Sequence, residues 1–252
     1  MRSTTTLAAL CATATAALAL TACGGGDGSK TEDTPSRAAT TARKGGLADL
    51  TGPQILDKAV KATKAATSLT VDLDGVVDGG ALKYRMTSDT KGECKGTMDL
   101  GDEGAVELIK TGDTAYMKYD ATFWESQGED GKAAAKLIGD RWTRTDASGP
   151  DAKDLVDACD AGKMTAGFVS GPSDARKGGS ATVDGVPAVT LTERGGGETT
   201  TMYVAARGKP YILKVVIKGG DQPGTLLLSD FDEPVGAKAP TGDVVDLDEL
   251  AG

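Results

Sequence analysis

Apolar and polar residues alternate in different ways along three parts of the chain. From Ser3 to Ala22 no side chain is charged, and the most apolar part runs from Leu7 to Leu20. From Gly24 to about Leu47 the residues are Gly, Ser, Thr, Ala and charges with no apolar period, as in a flexible tether. Beyond Thr51 the chain becomes periodic. Ile55, Leu56, Ala59, Val60, Ala62 and Ala66 share one helical stripe, with Lys58, Lys61 and Lys64 opposite. Thr51 is placed to cap that helix and Pro53 suits its first turn.

After Thr67 the period drops to two. Leu69, Val71 and Leu73 alternate with polar residues, Asp78-Gly79-Gly80 turns the chain, and Leu82, Tyr84 and Met86 alternate on the return. Further strands are expected at Cys94–Leu100, Ala105–Lys110 and Thr114–Tyr119. Thr122–Gln127 and Lys132–Ile138 read as helical, and Arg141–Thr143 as a short extended piece. Asp151–Cys159 reads as a helix with Leu155 and Val156 facing inward. Strands resume at Ala181–Asp184, Pro187–Thr192, Thr199–Ala205, Tyr211–Lys218 and Thr225–Asp230. From Gly236 onward the chain is polar and acidic and reads as a loose tail.

Consecutive short strands with tight turns predict an antiparallel sheet of about nine to eleven strands. So wide a sheet must curl or split. Helices occur only at the front and in the middle, so they can cover one face. The expected class is α+β, a strongly curved half-barrel sheet with helices over its concave face. Tyr211–Lys218 and Leu226–Leu228 are apolar on both faces. Such strands are either covered on both sides or have one face lining a cavity.

Composition then narrows the chemistry. The 252 residues include 35 glycines, ten aromatics, four cysteines and no histidine, with a net charge of −9. Without histidine there is no Ser-His-Asp or Cys-His arrangement and no imidazole metal site. The acidic balance argues against nucleic acid, whose binding rests on Lys and Arg neutralising phosphates. Neither P-loop nor G-x-S-x-G elbow occurs. Ser88-Asp89-Thr90-Lys91 and Lys110-Thr111-Gly112 match fragments of penicillin-recognising serine enzymes. Their short spacing and strand-end setting argue for coincidence. Asp72 with Asp74, and Asp243, Asp246 and Asp248, are carboxylate groups that read as solvated faces rather than calcium ligands. No catalytic residue, metal or cofactor is expected.

The first residues carry an address. Arg2 precedes an apolar core of about 14 residues, short of the ~20 a membrane-spanning helix needs. That is the layout of a secretory signal. Leu20-Thr21-Ala22-Cys23 resembles the lipobox of bacterial lipoproteins. The resemblance implies cleavage before Cys23 and a diacylglyceryl group on its thiol. Two acyl chains suffice for stable anchoring where one is marginal. The expected location is the outer face of the cytoplasmic membrane. Cys11 leaves with the signal, so Cys94 and Cys159 remain as a disulfide candidate in an oxidising compartment. The alternative, a redox pair, would favour a C-x-x-C spacing. Four segments result: a signal peptide at 1–22, the lipidated cysteine and tether at 23–49, the folded domain at 50–235, and an acidic tail at 236–252.

Several short stretches together resemble a known group. They include Ser68-Leu69-Thr70-Val71, Gly92-Glu93-Cys94-Lys95-Gly96 and Gly112-Asp113-Thr114-Ala115-Tyr116-Met117-Lys118, then Phe123-Trp124, Arg141-Trp142 and Leu155 through Cys159. Val183-Asp184-Gly185-Val186-Pro187-Ala188, Tyr203-Val204-Ala205, Gly208-Lys209-Pro210-Tyr211 and Phe231-Asp232-Glu233-Pro234 follow. Their order resembles actinobacterial secreted lipoproteins of the LppX/LprG and LolA group. That resemblance implies a half-barrel holding acyl chains and a lipid ligand or cargo, with no covalent step. It offers no polar ligand-binding residue that can be placed here and names no protein partner. The competing expectation is an envelope interaction or sensory module with a filled core.

Overall fold

The computed structural model describes residues 46–77, 79–149, 152–166 and 174–250. Cys23, the signal segment and nearly all of the tether lie outside the described residues. The helices are α1 (Gly52–Lys64), α2 (Ala121–Ser126), α3 (Gly128–Ile138), α4 (Lys153–Asp157), α5 (Ala161–Ala166) and α6 (Leu247–Leu250). The first strands are β1 (Ser68–Val77), β2 (Gly80–Asp89), β3 (Cys94–Asp99), β4 (Ala105–Thr111), β5 (Thr114–Tyr119) and β6 (Trp142–Asp146). After α5 come β7 (Arg176–Val183), β8 (Val186–Gly195), β9 (Glu198–Ala205), β10 (Ile212–Gly219), β11 (Gly224–Ser229) and β12 (Val244–Asp246).

All strands join one twelve-stranded sheet in the order β12-β6-β5-β4-β3-β2-β1-β11-β10-β9-β8-β7. Every pairing is antiparallel except β12 on β6. The hairpins follow turn chemistry. Between β7 and β8, Asp184 (φ 46°) and Gly185 (φ 83°) both take the left-handed conformation that a two-residue turn of the right twist requires.

Register aligns apolar residues across the sheet. One row runs Tyr119–Val106–Met98–Tyr84–Leu73–Leu226–Val215–Met202–Leu191 through nine strands and ends at Lys177 on β7. A neighbouring row on the same face runs Thr143–Met117–Leu108–Gly96–Met86–Val71–Leu228. This inner face carries the core, in which Met86 and Leu108 keep no exposed surface.

The helices cover that face. Ile55, Leu56 and Ala59 of α1 are buried in the same core, and Ile212 N donates to Thr63 Oγ1 at 3.0 Å. Cys159, in the turn between α4 and α5, is bonded to Cys94 on β3, with Cα atoms 5.5 Å apart. The Tyr84 hydroxyl donates to the carbonyl of Ala158 in the same turn. At the far side Tyr119 stacks on Phe123 of α2 at 4.4 Å and meets Trp124 at 4.9 Å.

The start of β10 is buried on both faces, and Leu227 of β11 is half-buried against the outer side. A bulge between Ile212 and Lys214 turns Ile212 into the main core and Leu213 into a smaller outer cluster with Val183, Ala188 and Ala205. Phe231 and Tyr211, stacked at 4.0 Å, roof that cluster.

Three expectations need correction. The sheet has twelve strands rather than nine to eleven. The segment from Gly236 is not loose: β12 pairs with β6, Arg144 Nη2 reaches Asp246 at 2.6 Å, and Arg141 Nη1 reaches Asp243 at 2.9 Å. Its acids read as solvation because their arginine partners lie about a hundred residues earlier. The helix expected over Asp151–Cys159 is shorter, and α5 follows it. Asp151 and the Leu155 side chain lie outside the described residues.

Candidate functional site

The inner face opens into two cavities. One, about 440 Å³, lies where the end of α1, the start of β1 and the end of β2 meet the α4–α5 turn. Its apolar wall is Ala66, Leu69, Val156, Cys159 and Ala161, and its polar wall includes Thr63, Ser88, Asp89 and Lys110. The second, about 690 Å³, lies between the end of β5 and the α2–α3 hairpin. Tyr119, Ala121, Trp124, Ala133 and Ala135 line it within a rim of lysines and carboxylates. Tyr119 is the last residue of the long inner row, so this cavity continues the core face outward.

Electrostatics at the first cavity are asymmetric. Asp157 accepts from Lys163 at 2.6 Å and from Lys153 at 2.9 Å, and these bonds hold its carboxyl below the usual range. Asp89 Oδ1 accepts from the backbone N–H of Lys91 and Glu93, each at 2.9 Å. Lys110 Nζ donates to the carbonyls of Gly92 at 2.8 Å and Gly112 at 3.0 Å. Burial pushes the Tyr84 and Tyr119 phenols up, so both stay neutral hydrogen-bonding groups.

The two enzyme-like fragments do share this wall, since Ser88 and Lys110 both face the cavity. They do not form a nucleophile and base. Lys110 is held by carbonyls, and Lys91 is exposed on the β2–β3 turn. The carboxylate groups also have partners: Asp72 is 2.6 Å from Arg85, and Thr145 donates to Asp248 at 2.8 Å.

Sequence reasoning missed one cluster entirely. Asp232 accepts from Thr67 N at 2.9 Å, Thr67 Oγ1 at 3.1 Å, Lys209 Nζ at 2.7 Å and the Tyr211 hydroxyl at 2.5 Å. Those bonds hold its carboxyl well below the ordinary range and raise Lys209 to about 12. Ser68 Oγ adds a bond to the Glu233 carbonyl at 2.5 Å. The signal was present in the Gly208–Tyr211 and Phe231–Pro234 stretches, which are contact partners here.

With the geometry in hand, comparison with solved structures places the fold. LprF from Mycobacterium bovis superposes with a TM-score of 0.50 at 16% identity, covering 76% of this chain and 97% of that one. The chain shares its fold with LprF. The lipoprotein LppX from Mycobacterium tuberculosis aligns at 18% identity over 74% of this chain and 99% of its own, with a TM-score of 0.48. A MucA/MucB complex from Pseudomonas aeruginosa aligns at 12% identity over 72% of this chain and 56% of that one, with a TM-score of 0.33. No family model matches the sequence, and no curated protein does either. The likeness to LprF describes how the chain is built. What it binds must be argued from its own inner face.

Proposed function

We propose that this chain is an extracytoplasmic lipoprotein, anchored through a diacylated Cys23, that binds a lipid or other apolar ligand on the inner face of its sheet. The observation that carries this reading is the apolar inner row, which passes from Leu191 to Tyr119, where Tyr119 itself lines a cavity with Trp124 and three alanines. Its volume of about 690 Å³ falls in the range of small-ligand sites, roughly 300–1,000 Å³. Its aromatic and alanine surface suits an alkyl chain inside the charged rim, and burial of methylenes at ~0.8 kcal/mol each needs no chemical step. The likeness to LprF supports the lipoprotein part of the proposal. A tether of some twenty-five residues reaches about 25–30 Å, enough to lift the domain off the headgroups.

Close packing favours a second reading. Ile55, Met86, Leu108 and Ile212 have no exposed surface, as in a filled core that serves only to present outer surfaces to a protein partner. Native mass spectrometry of the full chain carrying Cys23→Ser decides between them. Adducts of lipid mass are expected; a clean mass after exposure to membrane lipid extract sinks the carrier reading.

A further inference from the structure

The cavity beside the α4–α5 turn has spare hydrogen-bond donors and committed acids. Ser88 lines this cavity with only 2% of its surface exposed. Its hydroxyl has no partner among the described residues. Nor is it one of the sealed, unpartnered atoms, which are Trp124 Nε1 and Glu193 Oε1, so its oxygen keeps contact with the open space. Lys110, two strands away on the same inner row through Cys94, spends two of its three ammonium protons on Gly92 and Gly112. Lys64, on the rim, has no side-chain partner among the described residues. The acids are turned elsewhere: Asp89 to two backbone N–H groups, Asp157 to two lysines, and Asp160 Oδ1 to Lys163 N at 3.1 Å.

A buried, unpartnered donor in one wall with an ammonium two strands away calls for an acceptor, and a charged acceptor forms the stronger bond. Leu69 and Ala161 form an apolar wall of the same cavity and pack in or against the main core. We propose that this cavity binds the oxyanionic head of an amphiphile, a carboxylate or phosphate on an alkyl chain. Ser88 Oγ and Lys110 Nζ donate to the head, and the chain runs toward Leu69. The proposal rests on the ligand-binding reading above and names the ligand's polar end.

Competitive displacement of N-phenyl-1-naphthylamine from the full Cys23→Ser chain tests it. The probes are hexadecanoate, hexadecyl phosphate, hexadecanol and inorganic phosphate. Both oxyanionic amphiphiles are expected to bind about tenfold tighter than hexadecanol, the contribution of one charge-assisted bond. Lys110→Met is expected to erase that preference, and Ser88→Ala to weaken hexadecanoate about fivefold. A thermal melt of each variant separates lost binding from lost folding, and Ser88→Ala carries the test if Lys110→Met fails to fold. Equal binding of hexadecanoate and hexadecanol to the unsubstituted protein overturns this inference alone. So does inorganic phosphate binding as tightly as hexadecyl phosphate, which would make the cavity a free-anion site. Failure of every alkyl probe overturns the ligand-binding reading as well.

Discussion

Gly96 stands in the inner row between Leu108 and Met86, where a side chain would ordinarily point into the core. A Cβ there would lie 2.0 Å from the Arg85 carbonyl and 2.8 Å from Met86 Sδ. The missing side chain is what lets the Met86 thioether cross the row. Gly96→Ala is therefore expected to destabilise the fold by ~1–3 kcal/mol, as overpacking does, read from the urea midpoint. At Asp232 the decisive property is charge. Its carboxyl is held below the usual range, chiefly by the Lys209 bond, so its contribution is fully present above about pH 4, the ordinary aspartate value. That contribution fades as pH falls below it. Asp232→Asn should lower the melting temperature at pH 7, with the gap to the unsubstituted protein closing toward pH 2. A gap that stays constant across that range would remove the charge from the explanation.

At the scale of elements, the hairpins were legible because their information is local. Leu69-Val71-Leu73 and Leu82-Tyr84-Met86 alternate, and the turns between strands carry Asp-Gly or Gly-Asp pairs. The parts that escaped depend on distant residues. β12 is only three residues long, and its reason to be a strand is the open edge of β6, about a hundred positions earlier. Arg176–Ser180 has no apolar alternation, yet pairs with β8 around a bulge near two glycines, while Lys177 ties it to the Leu47 and Leu50 carbonyls at 2.9 and 3.3 Å. Ending the chain at Thr241 should expose the β6 edge and cost about 1–2 kcal/mol, since exposed ion pairs contribute little beyond the ladder bonds. The measurement is the urea midpoint. The Cys94–Cys159 link acts at longer range, across a sequence separation of 65. Replacing both cysteines by serine should lower stability by ~4 kcal/mol on the loop-entropy account. An unchanged midpoint would mean that the α4–α5 turn is held by Tyr84 and its apolar contacts alone.

For the whole molecule, alternation patterns were enough to anticipate a broad antiparallel sheet with helices on one face, because each strand declares which side is apolar. They could not locate the cavities. Thr63, Ser88, Lys110 and Cys159 belong to four separate elements, and only the register places Ser88, Cys94 and Lys110 in one line. The same register leaves two possible molecules, a packed scaffold or a carrier whose helices yield to a chain. They differ in their response to ligand. Anything that binds the folded form alone stabilises it by about 2.7 kcal/mol at a hundredfold excess over Kd. A carrier should therefore melt several degrees higher as hexadecanoate is raised below its micelle concentration, with the shift growing logarithmically. The gain should shrink when Leu69→Asp places a charge on the cavity's apolar wall, and stay when Lys83→Asp reverses one on the exposed face. A melting temperature independent of the amphiphile identifies a packed scaffold, and the outer surfaces of the sheet would then be where its partner binds.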